Sequence, residues 1–275
     1  MSHLPLPSFG RPPVVEVVLG VQFELIPGFT NGHLGAFWSY LGGKGEWPRV
    51  TDAAQLPQEF ERFGADLKWS RMDEIKVGLS QTPTARIQLA NRPEDRMLQV
   101  QNGRLLYNWT GGGNGQYPRY NIIRPEFDRL LKQFKDFLHD QNLPPIQVNQ
   151  WEVSYFNHLF QGTVWNEPSD WGKIFNFPAI PPQAVDSCRL ESVGGQWVYE
   201  IEPQLGRLRI KIQTGWSAPN EKQILVCNLS ARGSVREPED QADVSAGLDL
   251  GHKIIVTGFR DLTSKEAREY WQEKE

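Results

Sequence analysis

Asp249 and His252 lie three residues apart in a stretch with helical periodicity, so a helix brings them onto one face. A carboxylate beside an imidazole is a pairing used in acid–base catalysis, because it orients the ring and supports its charged form. No nucleophile motif accompanies the pair, and no Gly-x-Ser-x-Gly occurs. The adopted reading is therefore a structural hydrogen bond or helix cap, with no catalytic residue assigned. The five histidines, His3, His33, His139, His158 and His252, include no pair at the spacing of helical metal ligands. Cys188 and Cys227 cannot supply a zinc site alone; they read as buried free thiols in a reducing compartment. No metal and no cofactor is expected. The run Gly111 to Gly115 continues into Gln116-Tyr117-Pro118, where a phosphate-binding loop requires Gly-Lys-Ser/Thr. It reads as a flexible loop. Glu237, Glu239 and Asp240 read as a solvated acidic cluster.

Binding chemistry is better represented than catalysis. Arg207, Arg209 and Lys211 alternate with Leu208, Ile210 and Ile212. Period two puts three cations on one face of a strand and the apolar set on the other. Arg104 joins them if the two halves of the chain superpose. Such a face suits nucleic-acid phosphates or an acidic protein surface. The alternative is a solvated face neutralised by Glu200 and Glu202 on the preceding strand. Of the ten tryptophans, Trp38, Trp151 and Trp171 fit core positions, while Trp109 and Trp216 fall near turns or strand ends, where tryptophan anchors interfaces. The expected binding residues are Arg104, Trp109, Arg207, Arg209, Lys211 and Trp216. A net charge of -4 gives no general attraction to nucleic acid or anionic lipid.

These residues need elements to hold them. Val15, Val17, Leu19, Val21, Phe23 and Leu25 occupy every second position after Pro12-Pro13, which predicts a strand with one buried face. Leu34, Phe37, Trp38 and Leu41 predict a short helix ended by Gly42-Gly43. A polar connection follows, then strands over 74–79, 85–90 and 97–101. Asn102-Gly103 turns the last into a strand over 104–109, a hairpin signal in which both central residues take positive φ. Pro125 is placed at the start of a helix whose apolar stripe holds Phe127, Leu130, Leu131, Phe134 and Leu138.

After Pro144-Pro145 the order restarts. A strand over 151–160 precedes a short helix around Trp171, capped by Ser169 or Asp170. Strands over 196–201, 208–212 and 224–229 follow, then a loop over 232–243 and a helix towards Gly258. Thr263 and Glu266 are spaced as the capping box of a last helix. The fold class is α+β: two tandem modules, 1–143 and 144–275, each an antiparallel sheet packed on a long helix. The order is that of helix-grip and TATA-binding-protein-like modules, an analogy of fold that implies no function.

The chain resembles a sporadically distributed bacterial and archaeal family of uncharacterised proteins of about this length. The motifs are Pro12-Pro13-Val14-Val15-Glu16-Val17-Val18 with Phe23-Glu24, then Leu248-Asp249-Leu250-Gly251-His252 and Phe259-Arg260-Asp261-Leu262-Thr263. The resemblance carries over no activity and no catalytic residues. Its patchy distribution implies mobile gene contexts such as defence or toxin–antitoxin systems. The expected function is a non-enzymatic binding protein with a protein partner. Nucleic-acid binding through the basic strand, and a small-ligand pocket between sheet and helix, are the alternatives. The first ten residues lack a signal-peptide pattern and no run reaches membrane-span length, so a cytoplasmic location is expected. Oligomeric state is not readable.

Overall fold

The computed structural model describes residues 5–61, 63, 85–111, 116–176, 191–217, 222–236 and 241–274. In chain order the elements are β1 (Ser8–Phe9), β2 (Val14–Phe23), α1 (Asn31–Tyr40), β3 (Arg49–Ala54), β4 (Ala85–Ala90), β5 (Arg96–Gln101), β6 (Arg104–Thr110) and α2 (Tyr120–Asp140). They continue as β7 (Val148–Phe160), α3 (Trp171–Ile174), β8 (Gly194–Ile201), β9 (Gly206–Ser217), β10 (Lys222–Ser234), α4 (Gln241–Leu262), α5 (Lys265–Tyr270) and β11 (Glu273–Lys274).

Nine strands form one antiparallel sheet in the order β3-β4-β5-β6-β2-β7-β10-β9-β8. The expectation of a separate sheet for each half is corrected here: β2 and β7 pair along most of their length, with Val17 opposite Tyr155 and Val21 opposite Trp151. That pairing satisfies the inner edge of each set of strands, which would otherwise expose unpaired backbone groups. The α+β class and the antiparallel pairing hold. Helix α2 packs on β2, β6 and α1, and α4 packs on β7, β10 and β9.

The alternation in β2 sends Val17, Leu19, Val21 and Phe23 into the core, all fully buried, with Phe23 meeting Phe134 of α2. Helix α4 lies unusually close to β7. A Cβ at Gly247 would stand 2.1 Å from Trp151 Cδ1, and one at Gly251 would stand 2.8 Å from Trp151 Cζ3. Only glycine lets the helix backbone approach an indole so closely.

Several boundaries differ from the sequence expectation. Helix α2 begins at Tyr120, so Pro125 lies inside it. Arg119, in positive φ at 78°, sets the start in place of the proline. Strand β3 was not expected, because its residues are mostly exposed and show no apolar alternation. At the β5–β6 turn only Gly103 takes positive φ, at 95°; the Asn102 side chain instead bonds the Ile26 backbone through both N–H and carbonyl. Strand β10 runs on through Arg232, which had been placed in a loop. Ser264, not Thr263, caps α5 by accepting from Ala267 N, while the buried Thr263 hydroxyl donates to the Phe259 carbonyl. The expected strand over 74–79, Gly112 to Gly115, Cys188, Glu237, Glu239 and Asp240 lie outside the described residues. Cys227 is a buried free thiol whose pKa burial pushes up to about 12.

Candidate functional site

Between the sheet and the two long helices lies a cavity of about 510 Å³. Its floor is the central seam, with Val14 from β2 and Tyr155 and Asn157 from β7. One side is the approach to α2, with Tyr117, Arg119 and Tyr120; the other is α4, with Asp249, His252, Ile255, Val256 and Phe259. The outer wall comes from β1 and β11, which pair with each other; Gly10 N donates to Gln272 O at 2.7 Å and Arg11 N to Trp271 O at 2.9 Å. Phe9 closes that wall by packing edge-on against Phe259, ring centroids 5.7 Å apart.

A chain of hydrogen bonds runs along one side of the cavity. The Tyr117 and Tyr155 hydroxyls lie 2.9 Å apart, and the Tyr155 hydroxyl lies 2.8 Å from His252 Nδ1. Tyr120 stacks flat on the His252 ring, centroids 4.0 Å apart and planes 3° apart. The Asp249–His252 pairing considered from sequence does not form a hydrogen bond. Asp249 Oδ1 accepts from the Tyr120 hydroxyl at 2.8 Å and from Arg124 Nη1 at 2.7 Å, at the exposed rim. Arg124 is held further by Asp128 at 3.0 Å, and Arg119 Nη2 donates to the Phe9 carbonyl.

The charge states follow from burial. Burial pushes the His252 pKa down to about 4 against a weaker opposing pull from Asp249, so the ring is neutral near pH 7. Burial pushes Tyr117 up to about 12, and it drives Tyr155 and Tyr120 upward as well. The Tyr117–Tyr155–His252 chain is therefore neutral, and it shares a mostly apolar lining with Arg119 and Asp249.

The opposite face of the sheet is polar and is crossed by residues 55–61. Three glutamines in a row hold this strap by its backbone. Gln101 exchanges bonds with Leu56 N and O at 2.9 and 2.8 Å, and Gln22 does the same with Glu59 N and O at 3.0 Å. Gln150 accepts from Glu61 N at 2.9 Å and donates to Glu59 O.

The expected binding residues are distributed across both faces. Arg207 and Arg209 share the polar face as the alternation required, but both bind the Glu61 carboxylate, at 2.6 Å from Arg207 Nη1 and 3.1 Å from Arg209 Nη2. The neutralising partner is thus Glu61 of the strap, where Glu200 and Glu202 had been expected. Phe63 covers the Arg207 guanidinium at 4.4 Å. Burial pushes the Glu61 carboxyl up, and the bonds and charges of Arg209 and Arg207 outweigh this, leaving it below its ordinary value. Arg104 lies on the same face and is paired with Glu152, its Nε 2.7 Å from Oε1, in a buried bridge. Nucleic-acid phosphates would have to displace these carboxylates. Lys211 is exposed. Trp216 is 70% exposed, near the end of β9. Trp109 is only 3% exposed and faces the core, where it supports Tyr117 at 5.4 Å; it offers no surface to a partner.

Sequence reasoning missed Tyr117 and Tyr155 as site residues. Tyr155 falls unmarked within the expected strand over 151–160, and Tyr117 figures only in the Gln116-Tyr117-Pro118 run that departs from a phosphate-loop pattern. Among the described residues, no group of three or more His, Cys, Asp or Glu side chains could hold a metal ion. No helix among them is long and apolar enough to cross a membrane.

No family model matches the chain, and no curated protein matches it. One solved structure is similar at 10% identity, the crystal structure of DynU16, a protein of the dynemicin biosynthetic locus. The match covers 93% of this chain and 97% of that one, with a TM-score of 0.25, a likeness that carries no argument about fold or function.

Proposed function

We propose that this protein binds a small, neutral, mostly apolar molecule in the cavity between β2, β7, α2 and α4. One observation carries the reading: Tyr117 and His252 bring hydrogen-bonding capacity without charge to an apolar cavity of the size small ligands fill. The lining residues Arg119 and Asp249 are hydrogen-bonded to protein groups, Arg119 to the Phe9 carbonyl and Asp249 to Tyr120 and Arg124, which leaves Tyr117 and His252 to carry the ligand contacts proposed here. The test is titration with N-phenyl-1-naphthylamine, a neutral fluorophore. Saturable one-to-one enhancement is expected, abolished by Val256→Trp, which fills the cavity. Fluorescence that never saturates, or that survives Val256→Trp in a folded variant, counts against the pocket.

The protein partner expected from sequence stands as a second reading, favoured by Trp216, which is 70% exposed. Its test is pull-down from the native host with wild type and Trp216→Ala; a partner kept equally by both removes Trp216 from the surface. The two-module division at 143/144 belongs to this proposal as well. The mirrored placement of β2 and β7 at the seam, each flanked outward by the last strand its half gives to the nine-stranded sheet, supports it.

A further inference from the structure

The hydrogen bonds along the cavity wall have a directional property. His252 uses Nδ1 on Tyr155, which leaves Nε2 as the ring nitrogen that can meet a ligand. In one proton arrangement Nδ1–H donates to the Tyr155 oxygen, Tyr155 donates to the Tyr117 oxygen, and the Tyr117 proton is free for the cavity. Nε2 is then a lone-pair acceptor. The wall presents a base at one end and an acid at the other, joined by bonds of 2.8 and 2.9 Å. In the other arrangement every proton has moved one place and both ends have exchanged roles. No ion is present in either.

Resting on the pocket reading above, we infer that the Tyr117–Tyr155–His252 chain is a charge-neutral proton relay that interconverts the keto and enol forms of an uncharged ketone. The α C–H proton passes to His252 Nε2, and the C–H electron pair becomes the carbon–carbon π bond. The carbonyl π pair moves onto oxygen, which takes the Tyr117 proton. Tyr117 takes the proton of Tyr155, and Tyr155 takes the proton of Nδ1. The ligand has become its enol, all three side chains are neutral, and the reverse sequence resets them. No oxidant, metal or co-reactant is needed.

The surroundings suit this route over a stepwise one. Imidazolium and tyrosinate are both disfavoured by burial in this wall, so a base acting alone would leave an unstable ion pair. Passing the proton around the chain avoids both ions. The stacked Tyr120 ring holds the imidazole plane, and the close contact of α4 with Trp151 fixes the helix that carries it. Tyr155 is a positioning and relay residue; His252 Nε2 and the Tyr117 hydroxyl are the groups that would touch the ketone.

The experiment follows α-proton exchange of 2-indanone in D2O by NMR, with its binding measured in parallel by calorimetry. The N–H and O–H protons of the chain exchange with solvent between turnovers, so each cycle can deliver deuterium to carbon. Wild type is expected to accelerate exchange on the order of 100-fold over buffer, the scale of a positioned acid–base pair. Tyr155→Phe breaks the chain in the middle, so exchange should fall to near the buffer rate while 2-indanone affinity changes less than about threefold, no more than one modest hydrogen bond accounts for. Tyr117→Phe provides the same break at the solvent-nearer end if Tyr155→Phe does not fold. Wild type that binds 2-indanone without accelerating exchange overturns the relay and leaves the pocket standing. Undiminished exchange in either folded Phe variant also overturns it. A protein that takes N-phenyl-1-naphthylamine but not 2-indanone overturns the ketone assignment, and one that takes neither overturns the pocket reading as well.

Discussion

On the sheet face away from the helices, buried charges are bonded to one another; on the helix face, the hydrogen-bonded chain along the cavity is neutral, and the charged lining residues Arg119 and Asp249 are bonded to protein groups. Arg104 faces Glu152, and Arg207 and Arg209 close on Glu61, beneath a strap that three glutamines grip by its backbone. These groups spend their bonding capacity on one another. Tyr117 and His252 instead line a cavity, each with a bonding position that the Tyr155 hydroxyl does not use. The contrast separates two uses of buried polarity. A pair of opposite charges is tolerated in the interior only when each satisfies the other, so it serves the fold. Neutral groups are less costly to leave open, so they can wait for a ligand.

The largest expected effect tests the fold side. Glu152→Ala leaves the Arg104 guanidinium buried without its counter-charge, and unfolding by urea should show a loss of about 3–5 kcal/mol. N-phenyl-1-naphthylamine affinity of the folded variant should be unchanged. A parallel fall in affinity means the two faces are not independent.

Acid separates the faces by pH window. His252 has its folded pKa lowered to about 4 from 6.5, so the unfolded chain binds a proton more readily between those values. Its contribution is fully present above 6.5 and is lost as pH falls towards 4, a change of about 3 kcal/mol. Glu61 is also lowered, but from 4.5, so its contribution is present above 4.5 and is lost only at more acid pH. Stability against pH for wild type, His252→Gln and Glu61→Gln should therefore differ in distinct windows. Identical curves above pH 4.5 for wild type and His252→Gln would remove the argument that the ring is held neutral.

Gly247→Val forces α4 off the Trp151 indole. It should cost about 1–3 kcal/mol in thermal or urea unfolding, the range for overpacking. Because α4 carries His252, fluorophore binding should weaken in the same variant, which the strap-side substitution leaves intact. The smallest effect is expected for Tyr117→Phe. Its loss of one hydroxyl should change stability by no more than about 1 kcal/mol and lower fluorophore affinity about fivefold, the scale of one hydrogen bond. A large stability loss would make Tyr117 part of the fold's own network.

Much of the fold was legible because alternation and helical spacing are local. The alternation in β9 and the helical spacing in α2 place the expected apolar sets in the core, as does β2 for Val17, Leu19, Val21 and Phe23, although the other face of β2, with Gly20 and Gln22, is buried as well and Leu25 is exposed. Strand β3 was illegible because an exposed edge strand needs no apolar alternation. The start of α2 was misplaced because the signal used, Pro125, is tolerated inside the helix. The candidate site was the least legible part. Asp249 and His252 looked like a pair because they are close in sequence, yet each takes its partner from another element.

Local residue patterns are enough to make the chain α+β with antiparallel strands, to put Arg207, Arg209 and Lys211 on a face opposite Leu208, Ile210 and Ile212, and to give α2 one apolar stripe. Those properties depend on neighbours a few residues away. It took the folded chain to show that nine strands of both halves merge into one sheet, that Glu61 meets arginines more than a hundred residues along the chain, and that Tyr117, Tyr155 and His252 are joined by hydrogen bonds. Those depend on the register between β2 and β7 and on how closely α4 can approach Trp151. Such register and close approach are set by packing across the whole core, which no local spacing encodes.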